Sequence, residues 1–343
     1  MKALLELEGR SPGGTRRRWR TAGEGHPTVP VQLAGCAPSE PGGRLVAGRF
    51  RLRSLLGRGG MGRVWLADDE LLDRPVAIKQ LLRYGLESAE MRAQAWACAL
   101  REARAAARVD HAGAVRIYDI VQAKGWPWIV MEARPGRTLQ QALDAAGPLP
   151  VQQVTRIGLR LVDVLQATHR TGLAHRDVKP GNVHLCGGGR VVLTDFGIAS
   201  AIDDAAPAAG RFPGTRAYVS PERLDGGDTG PACDLFSLGA TLFTAVEGRP
   251  PFDRGSPLAT LTAVLVDRPA PFLRAGPLRP VIEGLLAKDP GRRLNAGQAR
   301  AALQAVQREY DMAQVQTSWI YAPPPTQMVR APSRKPQSRE RRW

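Results

Sequence analysis

Apolar and polar positions alternate through residues 49 to 80 on either side of a glycine-rich turn, and the stretch closes with PVAIKQLL. A period of two sends successive side chains to opposite faces, so this region reads as strands joined by a tight turn. Residues 87 to 109 change character: Ala, Arg and Glu dominate with few breakers, which predicts a helix with Leu100 and Ala103 facing inward. AVRIYDIVQ and WPWIVMEA return to strand composition. From residue 151 the repeat becomes helical, placing Val154, Ile157, Leu161, Val164 and Leu165 on one face. Strands first and helices afterwards imply an α+β chain of two subdomains, with no internal repeat.

The ends lack any such period. Residues 1–47 are rich in Gly, Pro and Arg, and residues 311–343 mix a short polyproline run with Ser and Arg, so both read as disordered basic arms. The periodic part, residues 48–310, is long enough for one large domain or two medium ones.

Charge changes the picture less than its size suggests. The net charge of +16 invites a nucleic-acid reading, but the arms supply +3 and +4, and no compact basic and aromatic run stands out in the remainder. Only six of the 48 basic residues are lysines, which fits a compositional bias towards arginine, and nucleic acid is not the expected partner. Four widely spaced cysteines without a C-x-x-C pair suggest neither a zinc site nor a disulfide framework, consistent with a reducing cytoplasm. No stretch reaches the ~18 uncharged apolar residues of a membrane span, and the N-terminus does not read as a signal peptide. The expectation is a cytoplasmic chain with neither a membrane helix nor an outer sensor.

Candidate chemistry lies in four separated motifs. LLGRGGMGRVWLA sets Gly57, Gly59 and Gly62 as G-x-G-x-x-G. The same spacing marks a dinucleotide-binding turn, which must open a helix; RVWLA instead continues as strand, so these glycines sit at a hairpin tip where backbone N–H groups can approach phosphate. VAIK then places Lys79 on a strand, a cation that needs an acidic partner, and the following helix offers Glu102. LAHRDVKPGNVHL packs His175, Arg176, Asp177, Lys179 and Asn182 together, and TDFG supplies Asp195.

Four motifs in this order resemble the protein kinase superfamily, most closely the bacterial serine/threonine kinases of eukaryotic type, over residues 48–310. The resemblance implies a bilobal fold, with a small antiparallel sheet and one helix at about 48–133 and a mainly helical lobe at about 134–310. It implies ATP in the cleft with magnesium, manganese being an alternative. Asp177 would accept or orient the proton of the attacking hydroxyl, and Lys179 would stabilise the moving phosphoryl group. Asn182 and Asp195 would hold the metal, while Lys79 paired with Glu102 would grip the α and β phosphates. Leu56, Gly57, Gly59, Gly62 and Val64 would cover the nucleotide. Ala77, Met131, Glu132, Ala133 and His184 would line its base. His175 would pack and hydrogen-bond beneath the loop. Implied partners are proteins with Ser or Thr acceptors, and a homodimer through the strand-rich lobe is common in the family.

Downstream, GTRAYVSPE resembles the substrate-docking end of the activation segment. Thr215 would bond Asp177 and Lys179, Glu222 would pair with Arg293 in preference to Arg292, and Asp234 would brace the catalytic loop. Two positions depart from the family. His184 stands where Leu or Met usually floors the adenine pocket. Between DFG and GT the only hydroxyl is Ser200, so Arg176 lacks the phosphothreonine partner usual in related kinases. Asp203 or Asp204 would then supply part of that charge, one each against roughly two for a phosphate. Thr317, Thr326, Ser333 and Ser338 are candidate autophosphorylation sites in the C-terminal arm.

Overall fold

The computed structural model describes residues 43–59, 62–81, 89–134, 136–197, 216–227 and 230–320. A six-stranded antiparallel sheet opens the described chain: β1 (Leu45–Val46), β2 (Phe50–Gly59), β3 (Gly62–Asp69), β4 (Arg74–Leu81), β5 (Ile117–Ala123) and β6 (Trp126–Glu132), in the order β1-β2-β3-β4-β6-β5. The β2–β3 pairing closes with Gly59 opposite Gly62, which puts the glycine motif at a hairpin tip as its strand-like continuation requires. Gly62 has φ +145°, a conformation that β-carbon-bearing residues rarely adopt.

The period of two in β4 sorts its side chains between two cores. Val76 and Ile78 join Phe50, Trp65, Trp128 and Val130 on one face; Ala77 and Leu81 pack on the other with α1 (Ala89–Ala106). Lys79 lies between Ala77 and Leu81 on that second face, which is how a strand lysine comes to be only 8% exposed. The inward face of α1 is Cys98, Ala99, Ala103 and Ala106; Leu100, expected inside, is only partly buried.

Helices fill the second lobe: α2 (Leu139–Ala146), α3 (Val151–Arg170), α4 (Pro221–Leu224), α5 (Pro231–Glu247), α6 (Pro257–Val266), α7 (Arg279–Leu285) and α8 (Ala296–Ile320). The predicted stripe of α3 is buried. In α5 every residue from Cys233 to Val246 is buried, as expected of a helix that is apolar nearly all round. A small sheet of β7 (Arg137–Thr138), β8 (Val183–Cys186) and β9 (Arg190–Leu193) carries the chain between the catalytic motifs. Leu193 donates to Gly113 O and accepts from Val115 N, tying β9 to the segment that enters β5.

Two domain boundaries shift. Residues 45 and 46, placed by sequence in the N-terminal arm, form the edge strand β1 because Val46 is an apolar anchor, 1% exposed. A two-residue strand is too short to show a period. Helix α8 runs to Ile320, past the expected end at 310, since its sequence meets no Gly or Pro between Gly297 and Pro323. Among the described residues no helix is long and apolar enough to cross a membrane.

Candidate active site

The HRDVKPGN loop follows α3, and its geometry is set from below. Asp234, in the first turn of α5 and 0% exposed, accepts from the backbone N–H groups of His175 (2.7 Å) and Arg176 (2.7 Å) and contacts His169 Nε2 at 2.8 Å. A carboxylate at a helix N-terminus is also favoured by the helix dipole. Arg176 sits in the left-handed region (φ +64°), a strained conformation that these bonds and Arg223, donating to Arg176 O at 2.6 Å, hold in place.

His175 has the packing role expected of it. Its ring is wholly buried, lies 4.9 Å from Phe196, contacts Thr194 O through Nε2 at 2.9 Å, and accepts from Asp177 N at 3.3 Å. Burial pushes its pKa below the ordinary value, so it is neutral at physiological pH. The close approach of the two motifs needs Gly197, where a Cβ would lie 2.5 Å from His175 O.

The polar face of the loop converges on one carboxylate. Lys179 Nζ lies 2.9 and 2.8 Å from the two Asp177 oxygens, and Asn182 Nδ2 donates to Asp177 Oδ2 (2.8 Å) and to its backbone carbonyl (2.7 Å). Asp195, also left-handed (φ +59°), accepts from Lys79 Nζ at 2.9 Å. Burial raises its pKa, but the charge and hydrogen bond of Lys79 and the charge of Lys179 outweigh this, so Asp195 stays ionised.

Lys79 therefore pairs with Asp195, and the expected Lys79–Glu102 pair is not made. Glu102 lies instead 3.9 Å from the exposed Arg101. Asp195, in the left-handed region, brings its partly buried carboxylate to the lysine, whereas Glu102 sits one step round α1 from the Ala99–Ala103 stripe that seats the helix.

Val64 pairs with Lys79 and Ala77 with Met131 across adjacent strands, while Leu56 is exposed beside the glycine tip. Lys79, Met131, Asp195 and Phe196 border a cavity. His184 sits in the middle of β8 between Thr138 and Val192, with Nδ1 buried and unpartnered. Burial, with the charge of Arg134 adding to it and that of Asp195 opposing, keeps its imidazole neutral. A neutral ring removes the charge that would sit badly against an apolar base.

Asn182 and Asp195 provide hard oxygen donors, a set that suits magnesium, which takes one or two protein ligands and completes its shell from phosphates and water. Among the described residues no larger cluster of three or more acidic, His or Cys side chains occurs.

Beneath the site, Arg293 forms a bidentate pair with Glu222 (2.6 and 2.9 Å), while Arg292 lies on the surface near Asp289. Sequence reasoning did not single out His169, Arg134 or Arg223. His169 lies six residues before His175 with no motif of its own, and Arg134, folded onto Glu132, carries no signal beyond its place at the end of β6. Thr215, Ser200, Asp203, Asp204, Thr326, Ser333 and Ser338 lie outside the described residues, as does the Thr317 side chain.

A strand lysine paired with an aspartate, an Asp–Lys–Asn cluster in the loop after α3, and an antiparallel sheet followed by a helical lobe are the arrangement of the bilobal kinase class. The chain belongs to the protein kinase family, matching the protein kinase domain over residues 50–310. It is 36% identical over 279 residues to the serine/threonine-protein kinase PknA of Mycobacterium tuberculosis, covering 78% of this chain and 64% of the relative. It is 38% identical over 275 residues to PksC of Streptomyces coelicolor, covering 75% and 49%. Over 212 residues it is 35% identical to PrkC of Bacillus subtilis, covering 62% and 32%. The chain thus spans between about a third and two thirds of the length of these relatives, and the family's bilobal α+β fold is the one described above.

Proposed function

We propose that this chain is a serine/threonine protein kinase that transfers the γ-phosphoryl group of ATP to Ser and Thr hydroxyls of proteins, its own among them, in a cytoplasmic signalling role. The observation that carries the proposal is the Asp177 carboxylate fixed by Lys179 and Asn182, facing the Lys79–Asp195 pair across one cleft. The acceptor oxygen bonds to the γ phosphorus as its proton passes to Asp177, and the bond from that phosphorus to the β-phosphate oxygen breaks to release ADP. Lys179 neutralises charge on the moving group, and Lys79 holds the α and β phosphates. Asn182 and Asp195 would hold magnesium, or manganese in its place, which would offset phosphate charge. Leu56, Gly57, Gly59, Gly62 and Val64 cover the nucleotide; Ala77, Met131, Glu132, Ala133 and His184 line its base.

A homodimer through the sheet lobe draws support from Leu71, Leu72 and Tyr118, exposed apolar residues near the β3–β4 turn and on β5. The placement of Glu102 beside Arg101 favours a second reading of the same enzyme, one whose Lys79–Glu102 pair forms only when a partner repositions α1. Incubating the full chain with ATP, magnesium and matched Ser, Thr and Tyr acceptor peptides tests the proposal. Transfer to Ser and Thr but not Tyr is expected, and transfer to none, with nucleotide bound, points to a kinase-like scaffold.

A further inference from the structure

The last turn of α6 contains no basic residue of its own. Carbonyls at that end of a helix lack intrahelical partners and carry the negative end of its dipole, so a cation beside them is favoured. Lys288, three residues beyond α7, supplies it: its Nζ donates to Ala263 O at 3.2 Å and to Val264 O. The same ammonium lies 3.6 Å from the centroid of the Phe252 ring and 5.6 Å from that of Phe236, two rings stacked 5.8 Å apart. Thr260, Ala263 and Val264 form the buried side of α6, which packs against residues 216–218 and α4. The Lys288 carbonyl accepts from Arg293 at 3.1 Å, and Arg293 holds Glu222. One amine thus fastens the end of α6 to the rest of the lobe.

Its direct partners are neutral. Lys288 makes no ion pair among the described residues, whereas Lys79 and Lys179 are each held by a carboxylate. The charged groups around it are Asp267 and Arg254, paired with each other at 3.2 Å, Arg293, paired with Glu222, and its neighbour Asp289, 3.6 Å from Arg292. Burial pushes the Lys288 pKa down to about 8; Asp267 opposes this, while Arg254 and Arg293 add to it. About a quarter of the amine is then neutral at pH 7.5, against roughly 0.1% for a lysine of ordinary pKa. Lower basicity offsets part of that gain in reactivity, as it does for thiolates. The residue is half-buried rather than enclosed, so a small reagent can approach it.

We propose that Lys288 is an acylation site, whose amine takes a small acyl group from an acyl phosphate or an acyl thioester and so unfastens the end of α6. The nitrogen lone pair attacks the acyl carbon and a C–N bond forms. The bond from that carbon to the phosphate oxygen or thioester sulfur breaks, and a proton passes from the nitrogen to water. The resulting amide is uncharged and keeps a single N–H, so it can serve only one of the two carbonyls and no longer meets the Phe252 ring as a cation. None of the phosphoryl-transfer residues takes part.

The full chain is incubated with acetyl phosphate, and in a parallel arm with acetyl-coenzyme A, while acetylation at each of its six lysines is followed by mass spectrometry. The comparator is a synthetic peptide of residues 284–292, which carries the same lysine without the fold. At pH 7.5 Lys288 of the folded chain is expected to react about tenfold faster than the peptide. Its rate levels off above about pH 8, whereas that of the peptide climbs on towards about pH 10. Acetylation lowers the melting temperature of the wild type by about 2–4 °C, as Lys288→Gln does without reagent, and leaves that of Lys288→Arg in place.

Label from acetyl phosphate alone identifies an acyl phosphate as the donor, and label from acetyl-coenzyme A alone a thioester. Folded-chain Lys288 that reacts no faster than the peptide overturns the proposal, whatever the variants do. A melting temperature that acetylation lowers equally in the wild type and in Lys288→Arg overturns it as well.

Discussion

Asp234 is wholly buried and holds two backbone N–H groups and an imidazole, whereas Glu102, on α1 in the other lobe, has one loose 3.9 Å contact with an exposed arginine among the described residues. The His175–Asn182 loop is fixed by partners whose loss would leave buried polar groups unsatisfied, at about 1–3 kcal/mol each. The Lys79 side of the cleft is set by one ion pair that can be exchanged for another. One lobe carries a preorganised site; the other carries the adjustable part.

The largest expected effect is on the fixed side. Arg293→Ala leaves Glu222 charged and half-buried, and thermal or urea unfolding should show a loss of about 3–5 kcal/mol. Burial raises the Glu222 pKa, but the hydrogen bonds and charge of Arg293 and neighbouring bonds outweigh it, holding the folded value below the ordinary one. The stabilisation is therefore fully present above the unfolded value of about 4.3 and is lost as pH falls through the lower folded value. Wild type should lose stability below about pH 4 more steeply than Glu222→Gln.

On the adjustable side, Lys79→Met should lower kcat/KM for ATP about a hundredfold, measured by steady-state transfer, through loss of phosphate neutralisation. Glu102→Gln should cost only about tenfold, because Lys79 retains Asp195 as a partner. Equal losses in the two variants would break the contrast, making Glu102 as fixed as the loop. The smallest effect belongs to the floor of the cleft: His184→Leu should leave the ATP dissociation constant equal or tighter, within about threefold by calorimetry. A marked loss of affinity would mean that the imidazole contributes a contact of its own.

What could be read from sequence divides along the same line. Local patterns were enough for the hairpin at Gly57–Gly62, the alternation that buries Lys79 beside Ala77, and the stripe of α3, because each depends on period alone. The Glu222–Arg293 and Asp234 contacts were legible through the motifs that contain them. The partner of Lys79 was not, since Glu102 and Asp195 are both acidic and the choice depends on how α1 is seated. Nor was Arg134: an arginine after a strand reads as solvated until its folding onto Glu132 is seen. Strand β1 and the end of α8 were missed because two residues show no period and because α8 continues without a breaker.

The central claim is that the Asp177 cluster performs phosphoryl transfer, and the most direct measurement is phosphate incorporation by the full chain with ATP and magnesium beside Asp177→Asn, with the sites mapped by mass spectrometry. The account predicts incorporation on Ser or Thr that disappears in Asp177→Asn while nucleotide binding persists. Equal incorporation in both proteins would contradict it.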